Sequence, residues 1–465
     1  MMPGVKVNIE CAPTAIFDPA APGKWFCAQL LEKGPTNKPI LVTSMSEMEE
    51  LTGGRVSYSY MYDAAQTFFE EGGSELFLAR VVGKTPIAAS LVLKHTAEAS
   101  LKVEAKSVGE WGNELAVEVV IVSGEEYKLK FFLNKVLLEE TPTLKTQVAA
   151  VTWSEGSKNI TITKEAGTTN PTVLAEKALS GGTYDSAEVE TKDWSEALAL
   201  FDEELGCGQV SAPGITAEAT LKLVEAHAEA NNRTAIIDLP NTGVKGTLVS
   251  EVAPLAKATG ARRTAPYVPW ATIPGIAAGA ARTVPYSAVQ AGILARNDAS
   301  STPPPVGEPS AGTNGHPRYA NGLTHEWTRQ EREELNNANI NVARTMPTGS
   351  IETYGNRTLA AETEPAWQEV SSARLFMFID SEGEALLEAA VFKNIDPKNI
   401  LLSTVEGELI GFLKSLGGQL YSYSVSTGPD VNTEATKKAK EVRANVEVKP
   451  SQIAENVVLN LSVAA

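Results

Sequence analysis

The chain alternates apolar and polar residues in short bursts, then switches to helical spacing, and the switches mark its elements. Val5, Val7 and Ile9 alternate, and Pro13, Pro19 and Pro22 then interrupt the run, so an extended arm with one short strand is expected over residues 1–24. From Pro39 the pattern changes. Ile40 to Thr43 predicts a short strand, and Ser46-Glu47-Met48-Glu49 reads as a capping box opening a helix. Met61, Ala64, Ala65, Phe68 and Phe69 share one helical face, which Gly72-Gly73 should end. Leu76 to Val82 follows as an apolar strand. Strand, helix and strand in this order predict a parallel α/β sheet with both faces covered.

Between 85 and 186 the rhythm becomes that of a β segment. Leu115 to Val122 and Tyr127 to Leu133 flank the turn Ser123-Gly124, Ile160 to Ile162 alternates, and Gly181-Gly182 closes the run. The α/β pattern then resumes. Ala217, Leu221, Val224 and Ala228 share a helical face, and two strands are expected at Ala235 to Leu239 and Ala265 to Trp270. Five prolines between Ala299 and Gly322 predict a linker. Beyond it a charged helix at 326–336, a strand at 339–345, a helix carrying Leu375, Phe378 and Ile379, and the stripe Leu402, Val405, Leu409, Phe412 and Leu416 are expected. Alternation returns at Val457, Leu459, Leu461 and Val463.

The fold class expected is therefore α/β, α+β overall. An α/β domain (25–84 and 187–298) is interrupted by a β-rich insertion (85–186). A linker (299–322) leads to a C-terminal α+β domain (323–449), and extended arms cover 1–24 and 450–465.

Composition narrows the function. Forty basic and 57 acidic residues give a formal net charge of -17, a field that repels nucleic acid and anionic lipid. Cys11, Cys27 and Cys207 show neither CxxC spacing nor an even count, so neither a disulfide framework nor a thiolate zinc site is expected. No signal peptide or membrane span is expected.

A search for chemistry finds no phosphate-binding glycine loop, no HExxH and no nucleophile elbow. His95, His227, His316 and His325 are scattered, with His316 and His325 expected as solvated loop residues. Asp238 ends a predicted parallel strand, where α/β enzymes place catalytic groups, yet before Leu-Pro it also suits capping of the next turn. An enzyme would need a cluster of titratable groups there, and none is evident; no catalytic residue, cofactor or metal is assigned. Lys437, Lys438, Lys440 and Arg443 form the one local cationic cluster, read either as a solvated helix face or as a docking patch for an acidic protein surface.

Several stretches in series resemble the contractile tail sheath proteins of phages and related injection systems. These are Tyr58 to Ala64, Phe68 to Gly73 and Ala79 to Val82; Ala105-Lys106-Ser107-Val108-Gly109-Glu110-Trp111-Gly112-Asn113; Val210 to Gly214 and Arg233 to Pro240; and Gly355-Asn356-Arg357-Thr358-Leu359, followed by Arg374-Leu375 and Gly417-Gly418. The resemblance covers about 38–122 and 195–465. It departs at Phe392-Lys393-Asn394-Ile395-Asp396-Pro397, where such sheaths often read Phe-Glu-Pro-Asn, and in most of the β segment.

That resemblance implies a structural subunit that polymerises around a tail tube and contracts from a metastable extended state. Its partners would be itself, in a helical stack of hexameric rings, the tail tube protein, and baseplate and tail terminator proteins. Neither nucleic acid nor membrane insertion is implied. It would be assembled in the bacterial cytoplasm and reside in a virion tail or injection particle. The strands at Val5, Val7 and Ile9, and at Val457, Leu459, Leu461 and Val463, would be donated between subunits, with pairing inside one subunit as the alternative on pattern alone. Lys437, Lys438, Lys440 and Arg443 are the candidate tube-facing residues. A self-assembling lattice or tail protein without contraction is the alternative.

Overall fold

The computed structural model describes residues 21–455 apart from 185, 278 and 397. It is a mixed α/β structure of several sheets, with eight strands in the largest. In spatial order these are Ile351–Tyr354, Asn341–Thr345, Thr264–Val268, Thr234–Asp238, Gln209–Ser211, Trp25–Leu30, Leu76–Val81 and Ile40–Val42. The inner six run parallel, and an antiparallel strand closes each edge.

Alternation along the inner strands sends side chains to two cores. Phe26, Ala28, Phe77, Ala79, Val210 and Ile237 point to one face, under the helices Thr191–Leu198, Glu218–Ala230 and Lys245–Val252. Trp25, Cys27, Leu76, Leu78, Ile236 and Tyr267 point to the other, under Met45–Thr52, Met61–Glu71 and Tyr286–Asp298. Burial on both faces is why these strands are continuous apolar runs.

Two elements escape the sequence patterns for one reason. Trp25–Leu30 is buried at all six positions, and Tyr286–Asp298 is buried over almost its whole length. Neither has a polar face, so neither shows the amphipathic period by which elements are found. The helix Met45–Thr52 starts earlier than expected: Ser44, not Ser46, is its N-cap and accepts from Glu47 N, while Glu47 reaches back to Thr43 N. Gly72 ends Met61–Glu71 in a left-handed conformation (φ 110°), and Gly73 N donates to Phe68 O at 2.9 Å.

Between Val81 and Gln209 the chain forms two antiparallel sheets, one of three strands and one of four, with a core that includes Leu101, Val117, Tyr127, Phe131 and Ile162. Arg80, at the end of a main-sheet strand, is 1% exposed and ties this region on. Its guanidinium donates to Leu31 O, Gly34 O and Glu32 O on one side and to Val108 O at 2.9 Å on the other.

Two further expectations differ from the structure. Asn341–Thr345, assigned from sequence to the last domain, extends the main sheet in parallel register with Thr264–Val268, and Ile351–Tyr354 pairs with it as the edge. A Pro/Gly linker separating 298 from 323 hid that continuity. The segment 299–322 is also no free spacer: Val306 is fully buried against Leu375 and Leu416, Gly307 N donates to Gln419, and the backbone N–H groups of Arg318, Tyr319 and Ala320 donate to the buried carboxylate of Glu71.

The remaining chain packs Val370–Glu388 and Ile400–Ser415 against a ribbon of Leu420–Ser426 and Asn445–Pro450. Its cores join Leu375, Phe378 and Leu413 with Val425 and Val448, and Leu401, Val405 and Leu409 with Val442 and Ala444.

Candidate assembly interface

The ribbon is the feature that invites a partner. Its strands pair antiparallel, Tyr423 opposite Val448 and Val425 opposite Val446, and among the described residues neither has a second strand neighbour. One face rests on Ile400–Ser415 through Val425 and Val448. Val446, opposite Val425 on that same side, is still 39% exposed, and Tyr421 is 72% exposed with Lys449 Nζ 4.8 Å from its ring. A two-stranded ribbon is marginal in water, and open edges are templates for further strands. A signal for it exists in the sequence: Tyr421, Tyr423 and Val425 alternate with serines, and Val446 and Val448 alternate with charged residues. The 18 residues between the strands, with their short helix Glu434–Lys438, obscured the pairing.

The arm residues Val5, Val7, Ile9, Val457, Leu459, Leu461 and Val463 lie outside the described residues. At the near end of the first arm, Pro22 O accepts from Gln209 Nε2 at 3.0 Å, beside the middle of the main sheet. Glu455 pairs with Arg357 at 2.8 Å, and Ser451 N donates to Gln419 O beside the ribbon.

Lys437, Lys438, Lys440 and Arg443 fall on Glu434–Lys438 and the turn after it. They are not four equal free charges. Lys437 lies 3.5 Å from Glu434 and 3.2 Å from Asn399 Oδ1, and Arg443 pairs with Glu441 at 2.5 Å, whereas Lys438 and Lys440 are exposed.

The titratable groups singled out for chemistry are occupied structurally. Asp238 is 1% exposed and does not cap the turn after it. Its carboxylate accepts from Ser287 N, Ser287 Oγ and Gly214 N at 2.9, 2.6 and 3.1 Å, joining the first turn of the helix Tyr286–Asp298 and the loop at Gly214 to the strand end. Burial raises its pKa to about 6 against these bonds. His227 is held neutral, its pKa lowered to about 3 by burial and then by Arg233, which donates to its Nε2 at 2.7 Å. His316 is tied down, with Nδ1 2.8 Å from Ile351 O. Among the described residues no group of three His, Cys, Asp or Glu side chains is placed to hold a metal, and no helix is long and apolar enough to cross a membrane.

No family model matches the chain, and no curated protein matches its sequence. Solved structures do match. The sheath tail protein of Listeria innocua superposes with TM-score 0.63 at 12% identity, over 88% of this chain and 89% of that one. The sheath tail protein of Desulfitobacterium hafniense gives 0.61 at 11% identity, over 97% and 100%. The helical sheath of the anti-feeding prophage in its contracted state gives 0.58 at 15% identity, over 99% of both chains. The chain has the tail sheath fold. All three of these neighbours are described as sheath proteins. The sheath fold also gives the ribbon and the two helices beneath it a context, since they lie within the shared architecture and are not an appendage to it.

Proposed function

We propose that this chain is the sheath subunit of a contractile tail or injection particle. It polymerises around a tail tube in a metastable extended state and contracts to drive the tube through a target envelope. One observation carries this reading: the sheath fold spans the chain almost end to end, 99% of it against 99% of the anti-feeding prophage helical sheath.

In this reading the open ribbon receives strands from neighbouring subunits. Val5, Val7 and Ile9 of one arm and Val457, Leu459, Leu461 and Val463 of the other supply alternating side chains, and main-chain hydrogen bonds supply affinity. Such an exchange is heterologous and need not close, so it extends into a helical tube. The chain is divided as its hydrophobic pattern suggests, an interrupted α/β body with 85–186 on the outer surface and a C-terminal unit on the inner wall. Lys437, Lys438, Lys440 and Arg443 face the tail tube, and baseplate and terminator proteins bound the stack in the finished particle. Contraction draws on newly buried interface with no nucleotide hydrolysis, the extended state being held kinetically.

The test is negative-stain microscopy of the full-length protein beside a form lacking 456–465, each with and without the cognate tube protein. Wide hollow tubes from the full-length protein alone or on the tube, and none from the shortened form, are expected. Monomers in every mixture would overturn the reading. Reversal of the four basic charges should abolish docking to the tube without unfolding the subunit; unchanged docking would remove them from that contact.

A further inference from the structure

The turn joining Val370–Glu388 to Ile400–Ser415 carries an unusual residue. Phe392 is completely exposed, at 103% of its reference area, and sits at φ 63°. A left-handed conformation costs a bulky side chain about 1–2 kcal/mol, and an exposed aromatic ring recovers nothing from water in return. Strained residues of this kind cluster at ligand clamps and switch regions. Val391, at 50% exposure, and Ile400, at 62%, extend the apolar tip.

Beside the tip lies a groove of about 490 Å³ between the same two helices and the ribbon. Its floor includes Ile379, Leu409, Phe412 and Leu413, and Ala444 and Val446 form one wall. Its rim is acidic: Asp380, Glu384 and Glu388 recur every four residues along Val370–Glu388. Like charges at this spacing repel, and the last two sit near the negative end of the helix, which has no basic residue in its final turn. Among the described residues Glu384 and Glu388 form no ion pair. The tip carries two lysines and one carboxylate, Asp396, which is turned back onto the backbone N–H groups of Lys398 and Leu401. Lys393 and Lys398 are exposed and form no ion pair among the described residues, and Lys437 reaches the tip at Asn399.

We propose that the Phe392 tip of one subunit seats in the groove of a second copy of this chain, with Lys393 and Lys398 set against the acidic rim. An aromatic knob with a basic collar matches an apolar slot with an acidic edge. In a chain of net charge -17 this is a local reversal of sign that favours contact between copies. Knob and groove adjoin, Val391 belonging to both, and the two partners contribute unlike parts of that surface, ring from one and slot from the other, so a one-way contact is heterologous and propagates. It is separate from strand exchange and survives without it.

Two full-length variants test this, Phe392→Cys and Glu384→Cys, mixed under mild oxidation. The chain's own Cys27 and Cys207 are buried. A disulfide between positions 392 and 384, seen in the mixture and in neither variant alone, is expected. Phe392→Gly should weaken association about thirtyfold, the effect of losing a central aromatic anchor, while leaving the subunit's melting temperature unchanged or raised. Glu384→Cys cross-linking alone to Cys11 would put the N-terminal arm in the groove and overturn the proposal. Phe392→Cys cross-linking to itself, or a protein that stays monomeric at every concentration, would overturn it too. Tubes without the 392–384 link would refute the knob and leave the sheath reading standing. The link in closed rings that never form tubes would do the reverse.

Discussion

Glu225 offers a measurement of how strongly this core resists charge. It lies on the inner side of Glu218–Ala230, fully buried, and neither carboxyl oxygen finds a conventional hydrogen bond among the described residues. Burial raises its pKa from 4.5 to about 8, with Thr264 and Lys222 offsetting only part of the effect. Below pH 4.5 the folded and unfolded chains both hold this proton. Between 4.5 and about 8 only the folded chain holds it, so each rise in pH removes stability; above about 8 the loss is complete. The full interval corresponds to about 5 kcal/mol at about 1.36 kcal/mol per pH unit, a ceiling because relaxation and water entry soften buried charges.

Two other buried groups titrate lower. Asp238 loses stability between 3.8 and about 6, and His227 adds stability as pH rises from about 3 to 6.5. The window from pH 6.5 to 8 therefore isolates Glu225 from both. Urea unfolding there should show wild-type stability falling by about 2 kcal/mol and Glu225→Gln staying level by comparison. A constant difference between the two proteins across that window would refute the burial of an unpaired carboxyl.

Three further outcomes follow from packing and can be checked together. A Cβ on Gly260 would lie 2.1 Å from Glu225 O; Gly260→Ala should cost about 3 kcal/mol in urea unfolding by forcing backbone apart. Arg374 and Asp298 form an ion pair at 2.5 Å, with side chains 1% and 4% exposed. Arg374→Met should cost about 3–5 kcal/mol, and adding Asp298→Leu should recover much of that loss, because the unpaired buried charge is the main penalty. Glu71→Gln weakens the anchor that holds 318–320 and also breaks the 3.0 Å pair of Glu71 with Arg296, so trypsin should cut after Arg318 at least about tenfold faster, a local opening made easier by about 1.4 kcal/mol, with a loss of global stability alongside.

What the sequence disclosed depended on whether an element has two unlike faces. The helices Met61–Glu71 and Ile400–Ser415 and the hairpin of Leu115–Ser123 with Glu126–Leu133 each expose one side, and their periods were readable. Trp25–Leu30 and Tyr286–Asp298 expose almost nothing, so the centre of the molecule was its least legible part. Pairing across distance was hidden as well. Nothing local tells Asn341–Thr345 to join a strand more than 70 residues earlier, or Leu420–Ser426 to find Asn445–Pro450 across a helix. Alternation marks the arms, which lie outside the described residues, whereas the pairing of the ribbon and the Phe392 tip needed three dimensions. Asp238 shows the converse, a residue in a catalytic position whose carboxylate is spent on Ser287 and Gly214.

The position of Trp25–Leu30 sets a schedule for synthesis. One edge of this strand is met by Leu76–Val81, but the other waits for Gln209–Ser211, with Cys27 and Ser211 184 residues apart. At about 5–20 residues per second a ribosome takes roughly 10–40 s to close that gap. During this interval the middle of the future sheet is an open, parallel-pairing apolar edge, while the sheets of the intervening segment have local partners and can form first. The nascent chain thus carries its most aggregation-prone surface early and covers it late. Slower elongation before Gln209, or loss of a chaperone that shields the emerging chain, should therefore lower the yield of soluble subunit without altering the stability of the molecules that finish folding.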